Sequence, residues 1–289
     1  MFLGVFFGGK LFAFDLYAEL IIGFILLCFI SSINYIINDI LDIEKDKQHP
    51  EKKLKRPLAS GAMKKWEAFV LLAVLIAVEI YYIIKYANLF SLILGVIFVN
   101  GLLYNLAFKN SAFADVITLA LMYVWRAIAG CLIIGIMVSP WLFLTVYFTA
   151  LYLALSKRKA DLILIGSNEE AANHKKVYKQ YDEENINQFL TMISTSLLIV
   201  YCMYCIIGPT EPNSIIQPSS GGYLIYSIPF AIYLIMRFSY LTNHKPEVAR
   251  NAEKMLFDKG MLIGGILFAV VIFLILYFQI GRLDFFIRL

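Results

Sequence analysis

Apolar runs of nearly constant length recur along the chain, each closed by a short polar break. They cover residues 16–41, 66–85, 88–108, 112–137, 140–165, 187–208, 222–242 and 260–281. A helix of about 20 apolar residues is long enough to cross the hydrocarbon layer of a bilayer. Strand-length alternation of apolar and polar positions is absent, which argues against an outer-membrane barrel. The pattern therefore predicts an all-α polytopic membrane protein, a bundle of about eight or nine transmembrane helices, with residues 1–289 forming one integral-membrane domain. Residues 1–14 are apolar but short and are broken at Gly8-Gly9-Lys10, so they read as a leading stub. Pro140, Pro209, Pro212 and Pro229 sit at or near the ends of runs, where a missing N–H costs least.

Composition agrees. The chain is 61% hydrophobic and only 16% charged, more apolar surface than a soluble fold can hide. No cleavable signal peptide is expected, because a basic leader and a small-residue cleavage site are both missing. Cys28, Cys131, Cys202 and Cys205 all lie in apolar runs. Cys202-x-x-Cys205 has metal or redox spacing but no second ligand pair, and reads as buried small hydrophobes. His49, His174 and His244 show no metal-like spacing. No catalytic triad, glycine-rich phosphate loop or nucleic-acid module is present, so no nucleic-acid partner is expected.

Charge changes the picture through its distribution. The net charge is only +4, but the bases fall in alternate loops. Lys45, Lys47, Lys52, Lys53, Lys55, Arg56 and Lys64 share one connection; Lys109, then Lys157 to Lys179, then Lys245 to Lys259 fill others. The intervening loops hold almost none. The positive-inside rule puts the basic loops in the cytoplasm of a cell (plasma) membrane, with Arg282 and Arg288 as a small violation.

The chemistry gathers where the first long run ends, at Asn38-Asp39-Ile40-Leu41-Asp42-Ile43-Glu44-Lys45-Asp46. At about 100° per residue, Asp39, Asp42 and Asp46 fall at roughly 0°, 300° and 340° of one helix, a shared face roughly 10 Å long. That suits one or two divalent ions against a diphosphate, and Mg2+ favours such hard oxygen donors. The alternative is a solvated helix end paired with Lys45 and Lys47. Against it, the face begins inside an apolar run, where carboxylates are costly, and the bases that follow suit anionic phosphates.

These residues resemble the UbiA-type intramembrane prenyltransferase superfamily, whose signature is N-D-x-x-D-x-x-x-D at the end of an early transmembrane helix. The continuation Asp46-Lys47-Gln48-His49-Pro50, Lys53, Arg56-Pro57, Ala59 and Gly61 is similar to the decaprenyl-phosphate 5-phosphoribosyltransferase branch. Two further segments carry the resemblance. Tyr104 to Lys109-Asn110, then Asp115, Arg126 and Gly130, matches Y-x-x-x-x-K-N … D-V … R-A-x-A-G. Ser156-Lys157-Arg158-Lys159-Ala160-Asp161 matches K-R-x-x-E, with Asp161 in place of Glu. Tyr178 and Tyr181 partly match a family V/L-x-x-Y segment that could cap a site.

The resemblance implies catalysis through Asp39, Asp42 and Asp46 as Mg2+ ligands. Asn38, Lys53, Arg56, Tyr104, Lys109, Asn110, Arg126, Lys157, Arg158, Asp161 and Tyr178 become candidates for substrate binding. The implied partners are phosphoribosyl pyrophosphate and a polyprenyl phosphate lipid, and homo-oligomerisation is left open. From physics alone, Lys109 can reach a phosphate at the rim, whereas Arg126 in mid-membrane needs an anion or a polar cavity. Asp115, about three turns away, could be that partner or a helix cap. Lys157 and Asp161, at i and i+4, could instead be a plain surface pair. An aromatic or quinone-type prenyltransferase, taking a prenyl diphosphate, would use the same carboxylates. A transporter would show repeated halves, and none is found.

Overall fold

The computed structural model describes residues 1–48, 52–136, 139–165, 180–207 and 223–278. Twelve α-helices run through them: α1 (Leu3–Phe7), α2 (Tyr17–Gln48), α3 (Lys52–Lys55), α4 (Pro57–Ser60), α5 (Lys65–Tyr86), α6 (Leu89–Leu106), α7 (Ala114–Ile133), α8 (Pro140–Ile165), α9 (Glu183–Ile207), α10 (Ile228–His244), α11 (Pro246–Arg250) and α12 (Lys259–Phe278). Eight are long, one for each apolar run. Among the described residues no strand forms.

Seven segments are long and apolar enough to span a membrane: Phe14–Gln48, Lys65–Tyr86, Leu89–Leu106, Ala114–Ile133, Glu183–Ile207, Tyr223–His244 and Lys259–Phe278. The chain is thus a multi-pass membrane bundle. The eighth long helix, α8, is less apolar because it carries Lys157, Arg158, Lys159 and Asp161, the last three of them buried inside the protein. Helix α8 packs on α7, α9 and α11.

Two apolar cores hold the bundle. One joins α2, α5, α6 and α7 through Leu26, Leu27, Ile30, Ile33, Leu75, Phe90, Leu94 and Ala129. The other joins α7, α8, α9 and α10 through Val116, Ala120, Leu155, Ile193, Leu197 and Phe238. Helix α7 serves both, so its ends fix how the two halves meet. Large apolar side chains such as Phe69, Val74, Ile84, Ile199 and Ile263 stay exposed, as expected where lipid is the solvent.

The connection after α2 folds back on it. Arg56 is extended (φ −91°, ψ 123°), the conformation forced on a residue that precedes proline. Pro57 opens a single turn, in which Ala59 is buried and Leu58 packs against Ile43 and Ala68. Gly61, at φ +80°, ends the turn in the left-handed region. This local sequence returns Arg56 to the acidic end of α2.

Candidate active site

Arg56 forms an ion pair with Asp39. Lys109, from the turn after α6, donates to Asp42 Oδ2 at 2.7 Å, and Lys45 approaches Asp42 Oδ1 at 3.4 Å. Asp39 and Asp42 are mostly covered but still reachable, with side chains 12% and 16% exposed. Asp46 is buried at the same helix end, and its charge acts on that of Asp39. Asn38 hydrogen-bonds Asp39. The acidic face thus points inward, each of its first two carboxylates against a base from another segment.

A second network lies beside it. Asp115, in the first turn of α7, is fully buried. Its Oδ2 accepts from Arg158 Nε at 2.9 Å and its Oδ1 from the Tyr181 hydroxyl at 2.8 Å. Arg158 also lies 3.7 Å from Asp161, and Arg250 of α11 closes on Asp161 at 3.2 Å. The Tyr104 hydroxyl contacts Arg158 and feels the charge of Asp42, so it links the two networks. Phe113 precedes α7 with φ +65°, a strained value for a bulky residue. Its N–H donates to the Tyr181 oxygen at 2.9 Å and its ring packs on Tyr181 and Phe189, which hold it there. Burial first, then the neighbouring Asp115 charge, push the Tyr181 hydroxyl far above its ordinary value, so it stays a donor.

The structure redistributes several expected roles. Asp115 is neither a helix cap nor the partner of Arg126; it belongs to Arg158. Arg126 donates instead to Ser31 Oγ at 3.1 Å and lies over the Tyr123 ring. Lys157 does not pair with Asp161. It is exposed, whereas Arg158, one residue on, turns inward to both acids. Lys53 and Asn110 are also exposed; the Asn110 carbonyl accepts from Gln180. Tyr178 lies outside the described residues.

The sequence reading passed over Ser31, Asn34 and Arg250. Ser31 and Asn34 had a signal. With Asn38 and Asp42 they recur at i, i+3, i+7 and i+11, a polar line along an otherwise apolar helix. Gly101 lets Asn34 approach α6, since a Cβ there would sit 2.2 Å from the Asn34 side chain. Asn105 donates to the Asn34 carbonyl at 3.1 Å.

The donor set fits Mg2+ in kind. It is all carboxylate oxygen, and the charges of Asp39 and Asp46 repel one another. Among the described residues no three acidic, histidine or cysteine side chains gather tightly enough to hold an ion alone. A magnesium ion held here would take its remaining ligands from substrate phosphates and water.

Comparison with known proteins places these features in context. A model of the UbiA prenyltransferase family matches residues 2–258. Decaprenyl-phosphate phosphoribosyltransferase of Mycolicibacterium smegmatis is 27% identical over 227 residues, 76% of this chain and 69% of that protein. Its Corynebacterium glutamicum counterpart is 28% identical over 219 residues, 75% of this chain and 64% of that protein. The chain thus matches about two thirds of the length of these relatives. A UbiA homologue from Archaeoglobus fulgidus, solved bound to GPP and Mg2+, superposes with a TM-score of 0.64 at 18% identity, covering 89% of this chain and 87% of that one. Its form bound to Cd2+ gives 0.62. The likeness shows a shared fold.

Proposed function

The chain belongs to the UbiA prenyltransferase family, and from that premise we propose that this membrane transferase moves the 5-phosphoribosyl group of phosphoribosyl pyrophosphate to a polyprenyl phosphate, releasing pyrophosphate. The observation that carries the reading is the meeting of Asp39 with Arg56 and of Asp42 with Lys109. Carboxylates and bases interleave, as a site for a metal-bound diphosphate with additional phosphate requires. The relatives named decaprenyl-phosphate phosphoribosyltransferase support it.

Asp39, Asp42 and Asp46 would hold Mg2+, which when bound supplies charge neutralisation to a departing diphosphate. Arg56 and Lys109 bind phosphate oxygens and counter the charge that grows on the leaving group. Asn38 orients Asp39. Tyr104 and Arg158 brace the wall between the two networks, and burial among the helices excludes water that would compete with the lipid. The attacking phosphate oxygen is already anionic, so no strong general base is needed. The basic loops favour a cytoplasmic, plasma-membrane orientation for the site, the side where a soluble sugar phosphate is available.

The runner-up is transfer of an isoprenyl group from a prenyl diphosphate to a small acceptor. The family description and the solved relative bound to GPP favour it. Purified protein given radiolabelled phosphoribosyl pyrophosphate, polyprenyl phosphate and Mg2+ distinguishes the two. The proposal expects a labelled, acid-labile lipid and pyrophosphate. Product from a prenyl diphosphate and an aromatic acceptor, with no labelled lipid, would replace it with the runner-up.

A further inference from the structure

Arg126 sits near the middle of α7, inside a membrane-spanning segment. A guanidinium at that depth is costly unless an anion or a polar cavity receives it. Among the described residues no carboxylate does. Its contacts are Ser31 Oγ at 3.1 Å and the face of Tyr123, with ring centroid 5.7 Å away. Ser31 gives its own proton to the Leu27 carbonyl at 2.6 Å, so its oxygen is left to accept from Arg126. Ser31 thus fixes one edge of the guanidinium and satisfies only part of a group with five N–H donors.

The place of this group relative to the acidic mouth is informative. Ser31, Asn38 and Asp42 fall within about 20° of one line along α2. Ser31 lies about 12 Å along the axis from Asp39 and about 16 Å from Asp42. Side chains lean toward the N-terminal end of their helix. For α7 that end carries Asp115, on the same side as the mouth, so Arg126 reaches toward the acids.

We infer that Arg126, seated on Ser31, is the anchor for the phosphate monoester of the isoprenoid acceptor. This inference rests on the transfer reaction proposed above. In-line attack places the entering phosphate and the leaving diphosphate on opposite sides of the reacting carbon, so the residues that grip them stand apart along the site. Ser31 and Asp39, about 12 Å apart along α2, stand apart in that way. A donor diphosphate held by Arg56 and Lys109 leaves Arg126 too deep to share it. An anion delivered to mid-membrane is most readily carried on an apolar tail. The same chemistry, a phosphate monoester, also occurs as the 5-phosphate of the donor sugar, and the test separates the two.

The full chain, purified into lipid nanodiscs, is titrated with geranylgeranyl phosphate and, separately, with ribose 5-phosphate. Wild type, Arg126→Ala and Arg126→Lys are compared. The inference expects Arg126→Ala to weaken binding of the lipid phosphate at least about tenfold, the worth of one charge-assisted hydrogen bond. Arg126→Lys should fall between, because it keeps the charge and loses the fork. Ribose 5-phosphate binding should change by less than about twofold, well below the loss of one such bond. Loss of ribose 5-phosphate binding with unchanged lipid-phosphate binding assigns Arg126 to the donor and overturns the inference. Equal lipid-phosphate binding by all three proteins also overturns it. If Arg126→Ala does not fold, Arg126→Lys alone decides, since unaltered lipid-phosphate affinity in that variant is incompatible with a forked contact. Both probes are read by binding, so absence of turnover with phosphoribosyl pyrophosphate would overturn the reaction and leave this result legible.

Discussion

Lys109 Nζ lies 2.7 Å from Asp42 Oδ2, joining the turn after α6 to the end of α2 across 67 residues of sequence. Without substrate the two charges satisfy each other. Under the proposed reaction they would have different tasks, the base on phosphate and the acid on the cation, so the pair would have to part. Lys109→Ala is expected to raise the KM for the sugar diphosphate at least about tenfold, as loss of a charge-assisted hydrogen bond does. Asp42→Asn is expected to lower kcat by about 10² or more, in line with losing a group that stabilises developing charge. Pyrophosphate release measured against donor concentration checks both. An unchanged KM in Lys109→Ala would make the residue a helix tie only.

Arg158 is expected to act through structure more than through substrate. It is 6% exposed, with Asp115 at 2.9 Å and Asp161 at 3.7 Å. Arg158→Ala removes the cation 2.9 Å from the buried Asp115 carboxylate, a loss of about 3–5 kcal/mol. The double variant Arg158→Met with Asp115→Leu removes both charges and should recover most of that stability. Thermal unfolding in detergent gives the comparison. If the double variant is as unstable as the single one, the pair is not the source of the loss.

Tyr181 links that pair to the strained residue before α7. Tyr181→Phe removes the donor to Asp115 Oδ1 and the acceptor for the Phe113 N–H. A cost of about 1–3 kcal/mol is expected for leaving such groups unsatisfied. The pH dependence has a definite sign. The folded state holds the Tyr181 proton more tightly than the unfolded chain, because of burial and the Asp115 charge. Its contribution is therefore complete below the ordinary tyrosine value, about pH 10, and falls as pH rises beyond it. Unfolding midpoints recorded from pH 7 to 11 should drop less steeply at the alkaline end in Tyr181→Phe than in wild type.

Asp258 titrates at the other end of the scale. The paired hydrogen bonds from Arg237, at 3.0 and 2.7 Å, hold its carboxyl down to about 2. A depressed carboxyl stabilises the fold above the unfolded value of about 4 and loses that contribution as pH falls toward 2. Arg237→Gln is expected to flatten the stability profile across that acid window, lowering stability modestly at neutral pH because Arg237 is partly exposed, and leaving it little changed near pH 2. Acid titration followed by helix content provides the measurement.

These residues show what could be read from the chain alone. The eight long helices were legible because each is recorded in a local run of apolar residues. The Arg-Pro start and the glycine stop of the turn after α2 also lie within six residues, but the pairing of Arg56 with Asp39, 17 residues back, is recorded in no local pattern. The partners of Arg158 and Arg126 were no more legible. Spacing along α7 offers Asp115 to Arg126, yet it does not say which neighbouring helix faces each turn. That depends on where along α7 the helices α2 and α8 pack. Tyr181 was unreadable for a related reason. Its loop is polar and basic, while the ring is buried through a contact 66 residues away.

Glu79 lies in the membrane-spanning α5, is 3% exposed, and neither of its carboxyl oxygens has a hydrogen-bond partner. Such a group costs stability whether charged or neutral, since the donors and acceptors it had in water are not replaced. Glu79→Leu, close in size and apolar, is expected to stabilise the protein by about 1–3 kcal/mol. Glu79→Gln should gain less, because it keeps an unsatisfied amide in the same place. Neither change touches the acidic mouth, so donor KM should stay at the wild-type value. Denaturant unfolding of the three proteins in one detergent gives the ranking. A destabilised Glu79→Leu would show that the carboxyl group finds a partner in the membrane, and wild type would then have to gain stability from that contact.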